Sequence, residues 1–241
     1  MIDKTSRDTG MSPGPGRKAG RLVRLQYALV VLALLILVLF VALAEDAHER
    51  LYFPIDLVVS RAVQSFRPAW FDFTMRALTV PGQSLWAVVS VIVVVAIIWF
   101  AGAHREALFL LAATAIAEAL DIGVKLIVAR PRPDEFLIRV AQALHDPSFP
   151  SGHVVQYTVF YGFLFVLVYI HMKHSFRRTL LLGVLMFLIV GVGVSRVYLG
   201  EHWPSDVVGG YLLGSVWLGV CVWAYRLTRR KTADLNSEPL L

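Results

Sequence analysis

The chain has 241 residues, 57% of them hydrophobic and only 17% charged, with a mean hydropathy of +0.66. That balance excludes a water-soluble domain and identifies a membrane protein. The formal net charge of +6 does not imply a nucleic-acid partner, because the basic residues gather at the ends of apolar runs, and the single cysteine, Cys221, excludes an intrachain disulfide.

Residues 1–24 hold six Lys/Arg among Gly, Pro and Ser, which predicts a flexible basic cytoplasmic tail. Residues 25–44 form the first apolar run, too long for a signal-peptide core and followed by no small-residue cleavage site, so an uncleaved anchor is expected. The next segment, 45–83, is more than linker. Ile55, Val58, Val59, Ala62, Val63 and Phe66 recur at helical spacing opposite Asp56, Ser60, Arg61, Gln64 and Arg67, the pattern of an amphipathic helix lying in the membrane interface. "PAWFDF" follows, with Trp70, Phe71 and Phe73 as interfacial anchors. Five more spans are predicted at 84–101, 107–128, 153–171, 179–194 and 206–227, each near the length that crosses about 30 Å of hydrocarbon.

The expected fold is therefore an all-α integral membrane protein. Six transmembrane helices form one domain over 25–228, interfacial helices occupy the first outer loop, and 229–241 is a cytoplasmic tail. Fourteen Lys/Arg fall on the inner side and nine on the outer if the N-terminus is inside, which places both termini in the cytoplasm and the polar gaps 130–152 and 195–206 on the outer face.

Ionisable groups at the ends of the later spans are where chemistry is expected. Lys125, Arg130 and Arg132 stand in "KLIVARPRP"; guanidinium groups suit a bidentate grip on phosphate oxygens, and a lysine adds a point charge. "PSGH" opens the fourth span: Ser151 is a natural N-cap, Gly152 permits close backbone approach, and His153 stands beside any anion held at the helix start. Taken alone, a histidine at a helix start is more often structural than catalytic. In "SRVYLGEHWPSD", Pro204 marks the start of the sixth span. His202 and Asp206, four residues apart, can share a face, so that Asp206 fixes the imidazole tautomer and leaves the other nitrogen as nucleophile or base. Arg196 adds an anion donor and Ser195 a hydroxyl, whereas Glu201 reads as a solvated loop carboxylate. Donors crowding two histidines suit a phosphate better than a metal, although two histidines and an aspartate also match a zinc donor set.

Lys125-x6-Arg132-Pro133, Pro150-Ser151-Gly152-His153 and Ser195-Arg196-x5-His202-x3-Asp206 together resemble the tripartite signature of the type 2 phosphatidic acid phosphatases, a superfamily of lipid phosphate phosphatases. The resemblance implies hydrolysis of a lipid phosphate or diphosphate without metal or other cofactor, through a phosphohistidine. It assigns His202 as nucleophile, Asp206 as its orienting partner and His153 as the acid on the leaving oxygen. Lys125, Arg132, Ser151, Gly152 and Arg196 become the phosphate clamp. Expected substrates are undecaprenyl diphosphate, phosphatidylglycerophosphate or phosphatidate at the outer leaflet of a bacterial plasma membrane. Outside the signature, Asp121 stands one turn before Lys125 and either positions it for the reaction or forms a structural ion pair. A lipid phosphotransferase using a polyprenyl diphosphate donor, and a transporter of phosphate or lipid anions, remain as alternatives.

Overall fold

The computed structural model describes residues 15–235. It contains eight α-helices: α1 (Pro15–Glu49), α2 (Pro54–Ser65), α3 (Ala69–Thr79), α4 (Ser84–Phe100), α5 (His104–Val128), α6 (Gly152–His171), α7 (Phe176–Tyr198) and α8 (Pro204–Leu235), with no strand among the described residues. Residues 1–14 and 236–241 of the predicted tails lie outside the described residues. Both terminal helices run past the apolar segments that predict them: residues 15–24 and 229–235 are helical.

Five helices are long and apolar enough to cross a membrane, and a sixth crossing exists if α3 and α4 form one broken span bent by 66°. The expected span at 84–101 is thus α4, only 17 residues long, continued through the short 3-10 turn Val80–Gly82 into α3. α6 lies at the centre, packed against α5, α7 and α8. Its approach to α8 is close because Gly210 and Gly214, one turn apart, face Val154 and Thr158 of α6, where any β-carbon would collide. Phe160 and Phe163 belong to the main core, where Phe163 stacks on Phe109 of α5 and meets Tyr225 of α8 edge-on. Where α1 ends, His48 Nδ1 lies 2.9 Å from the Val128 carbonyl at the end of α5. At the other end of the bundle the Tyr225 hydroxyl donates to Glu106 (2.8 Å) and lies 2.9 Å from His171, tying α8 to α5 and α6.

The segment between α1 and α4 differs from a helix floating in an interface. α2 is amphipathic, but its polar side faces the protein: Asp56 and Ser60 are 0% exposed and Gln64 3%, while Ile55 and Val58 are each 63% exposed. Gln64 explains the inversion. Its amide donates to the carbonyls of Arg139 (2.7 Å) and Tyr198 (3.1 Å), and its oxygen accepts from the Arg139 amide (3.1 Å). One side chain thereby satisfies backbone groups of the loop after α5 and of the C-terminal end of α7. Gly200 completes this joint with φ +69°, where an added β-carbon would meet the Arg139 carbonyl. In α3, Phe71 stacks edge-on against Tyr198, whereas Trp70 and Phe73 stay exposed, so only part of the aromatic piece is free to act as an anchor. α2 and the loops 129–151 and 199–203 consequently meet at one end of the bundle.

Candidate active site

A cavity of about 990 Å³ opens at that end, lined by Lys125, Arg132, Gly152, His153, Arg196 and His202. Residues up to 77 positions apart in sequence share this wall because α5, α6, α7 and α8 all present the same end. The cavity continues along α4, where Leu85, Trp86, Val88 and Ile92 line it and are each more than half exposed.

His202 sits just ahead of α8 and is 1% exposed. Its Nδ1 is 2.8 Å from the Ser148 carbonyl, and a carbonyl can only accept, so Nδ1 carries the proton. Nε2 is left with a free lone pair, which lies 3.1 Å from the Arg132 guanidinium. Burial pushes the imidazole well below its ordinary range, and the neighbouring Arg132, Arg196 and Lys125 charges push the same way. A neutral ring presenting Nε2 to a cationic wall is competent to act as a nucleophile toward an anion.

Asp206 does not hold His202 as the i,i+4 spacing predicts. Its carboxylate is 3.7 Å from Nδ1, beyond hydrogen-bond range. It accepts instead from the Ser148 hydroxyl, from the Trp203 amide (2.9 Å) and from Arg130 (2.6 Å). Its link to His202 passes through Ser148, whose hydroxyl donates to it and whose carbonyl accepts the imidazole N–H. The helix start explains the difference: as the third residue of α8, Asp206 turns back to cap the Trp203 amide.

Arg130 is the centre of a buried network. Its side chain, 0% exposed, joins Asp206, the Ser205 hydroxyl (2.7 Å) and Asp56 of α2 (3.1 Å), and Asp56 also accepts from the Ser205 amide (2.8 Å) and hydroxyl (2.7 Å). The sequence groups Arg130 with Lys125 and Arg132 as a candidate phosphate donor; the fold buries it between two carboxylates instead. The Arg-Pro-Arg-Pro run carries a signal for this, since extended backbone restrained by proline has about three residues per turn and sends side chains two apart in different directions. Arg130 enters the protein and Arg132 enters the cavity.

Each cavity cation meets a carboxylate. Lys125 Nζ is 3.1 Å from Asp121 and 3.5 Å from Asp146. Arg132 is 2.7 Å from the Asp146 carboxylate and donates to the backbone carbonyls of Asp146 (2.9 Å) and Glu201 (2.6 Å). Arg196 pairs with Glu201 and donates to the Thr79 hydroxyl. Glu201 is therefore no solvated loop carboxylate: at 7% exposed it fixes a guanidinium that would otherwise swing. Asp121 forms the expected ion pair, and Gly152 leaves the room for it, since a β-carbon there would lie 2.8 Å from Asp121 Oδ2 and 3.2 Å from Lys125 Nζ.

Ser151 occupies the N-cap position of α6 without capping it, and its hydroxyl is buried with no partner among the described residues, as are His153 Nε2, Arg196 Nε and Asp121 Oδ1. Unsatisfied buried polar atoms are costly, and three of these, on Asp121, His153 and Arg196, belong to residues that line the cavity, while Ser151 stands behind the lining residue Gly152; they mark a place where a polar ligand gains hydrogen bonds. Ser195 points elsewhere: its hydroxyl donates to the Met75 carbonyl of α3 (2.5 Å), and it does not line the cavity. Among the described residues no group of three or more His, Cys, Asp or Glu is placed to share one metal ion.

Comparison with known proteins bears on what this arrangement does. The model of the PAP2 superfamily matches residues 106–230. Phosphatidylglycerophosphatase B of Bacillus subtilis is 29% identical over 73% of this chain and 85% of its own. The undecaprenyl-diphosphatase of Sulfolobus acidocaldarius is 35% identical over 42% of this chain and 46% of its own. Among solved structures, a transmembrane PAP2-type phosphatidylglycerolphosphate phosphatase from Bacillus subtilis superposes with a TM-score of 0.67 at 25% identity, covering 87% of this chain and 98% of that one.

Proposed function

The chain belongs to the PAP2 superfamily and is a multi-pass membrane lipid phosphatase, and we propose that it cleaves a phosphate monoester or diphosphate lipid through a phosphohistidine on His202. The observation that carries this reading is the orientation of His202: Nδ1 is committed to the Ser148 carbonyl and Nε2 faces Arg132 in the cavity.

In the proposed reaction the Nε2 lone pair attacks phosphorus as the bond from phosphorus to the leaving oxygen breaks, and His153 transfers a proton to that oxygen. Arg132, Lys125 and Arg196 stabilise the charge spread over the phosphoryl oxygens, which is most of what phosphoryl transfer requires. Ser151, Gly152 and the start of α6 add donors. Water then attacks the phosphohistidine, giving its proton to His153, and orthophosphate leaves. Neither step calls for a metal ion. The hydrocarbon tail lies along the α4 wall at Leu85, Trp86, Val88 and Ile92, with its headgroup at the outer leaflet of a bacterial plasma membrane.

Purified full chain in detergent should release orthophosphate from undecaprenyl diphosphate, phosphatidylglycerophosphate or phosphatidate, with the rate unchanged by excess chelator. Release from none of the three, or loss of activity on chelation, contradicts the reading. The outer-face assignment has its own check, because Gln142 is exposed on the loop over the cavity. A cysteine placed there should react with a membrane-impermeant maleimide added to intact spheroplasts; labelling only after lysis reverses the orientation.

A further inference from the structure

The three carboxylates on the cavity cations are not equivalent. Glu201 (7% exposed) and Asp121 (2% exposed) are built into the protein. The Asp146 side chain is 52% exposed and stands on the loop between α5 and α6. One of its oxygens, Oδ2, is 2.7 Å from the Arg132 guanidinium and 3.5 Å from Lys125 Nζ, so a single anionic oxygen bridges two residues of the phosphate clamp. Burial raises this carboxyl group, but Arg132 and Lys125 outweigh it and hold it below the ordinary aspartate range. At neutral pH it is an anion lying where a phosphoryl oxygen would bind.

We propose that Asp146 determines specificity as an internal competitor for the Lys125–Arg132 position, displaced by a dianionic terminal phosphate and not by a phosphodiester. The proposal rests on the lipid phosphatase reading and adds the charge class that the site admits. A phosphate monoester carries about −1.5 to −2 charges at neutral pH and three terminal oxygens. Replacing a carboxylate with such a group gains charge and hydrogen bonds. A phosphodiester headgroup carries one charge over two free oxygens, as the carboxylate does, so the same exchange gains nothing. The membrane around the protein is built largely of phosphodiester lipids, and a clamp of three bare cations would be filled by them. With Asp146 in place, three cations face three carboxylates and the clamp is neutral until a more highly charged group arrives.

The geometry makes the carboxylate separable from the framework. Arg132 is also held by two backbone carbonyls, those of Asp146 and Glu201, and Lys125 keeps Asp121. Removing the Asp146 carboxylate therefore leaves both cations anchored while freeing their charge.

The test compares wild type with Asp146→Asn and Asp146→Ala. Orthophosphate binding to the purified full chain in detergent, read by calorimetry, needs no turnover. Both variants should bind orthophosphate roughly tenfold more tightly than wild type, the scale of one partly exposed charge-assisted contact. In turnover of phosphatidate in mixed micelles, KM should fall more than kcat, and phosphatidylglycerol added at rising mole fraction should inhibit the variants competitively while sparing wild type. A purely structural Asp146 would loosen orthophosphate binding and raise KM. Unchanged or weaker orthophosphate affinity in both variants, or equal inhibition of all three proteins by phosphatidylglycerol, overturns the proposal. Absence of lipid turnover in wild type would instead sink the functional reading, with the orthophosphate comparison still deciding the role of Asp146.

Discussion

His202→Asn should abolish phosphate release, lowering kcat by about 10⁴-fold or more, the scale seen when a covalent nucleophile is removed. Asparagine is the informative replacement. Its amide can still donate to the Ser148 carbonyl, which Nδ1 of His202 approaches at 2.8 Å, so the loop before α8 keeps its tie. What disappears is the Nε2 lone pair beside Arg132. Orthophosphate affinity should stay within a fewfold of wild type, because Lys125, Arg132 and Arg196 do not depend on the imidazole for their anchoring. Substantial turnover by this variant would remove His202 from the reaction, whereas loss of both turnover and phosphate binding would point to a damaged clamp. The change should be read as altered kcat with binding preserved.

Arg130→Met is expected to destabilise the protein by about 3–5 kcal/mol, the usual consequence of removing one partner from a buried ion cluster. Arg130 is 0% exposed and stands between Asp206 and Asp56, so methionine strands two carboxylates in the interior. Arg130→Lys should not restore stability, since a single ammonium cannot replace a fork that reaches Asp206, Ser205 and Asp56 together. Combining Arg130→Met with Asp56→Asn should recover part of the loss, because one stranded charge is gone and the two sites are coupled. The measurement is thermal unfolding of detergent-purified protein. A melting temperature within a degree or two of wild type for the single variant would mean that water reaches this network. Activity should fall with stability, as Asp206 and Ser148 lose their anchor and His202 loses its orientation.

The parts of the molecule that declared themselves in the sequence are those governed by local rules. Apolar runs of spanning length mark α5 to α8 because hydrocarbon thickness sets helix length. Lys125, Arg132, His153, Arg196 and His202 stand out because charge at the end of a span is costly, and all five line one cavity. Where local rules failed, a long-range partner had intervened. Asp56, Ser60 and Gln64 have the spacing of a solvated helix face, and only the arrival of Arg130, Arg139 and Tyr198 from distant segments turns that face inward. The i,i+4 spacing of His202 and Asp206 suggested a direct pair, but the helix start claimed the carboxylate and Ser148, 58 residues from Asp206, took over the imidazole. Glu201 and Asp146 had no motif to mark them; their importance comes from the cations that α5, the loop after it and α7 bring within reach. The start of α1 at Pro15 and the bend between α3 and α4 lie outside hydropathy altogether, because helix continuation and breakage there are backbone events at the edge of the apolar runs.

Rapid-quench mass spectrometry under alkaline conditions, after mixing excess enzyme with a labelled lipid phosphate, tests the phosphohistidine most directly. A phosphoryl group that forms on His202, is stable in base and labile in acid, appears and decays at rates that account for kcat and is absent from His202→Asn is the predicted result. Phosphate release by wild type with no phosphoryl group on His202 at any time, or with the group on another residue, would contradict the account.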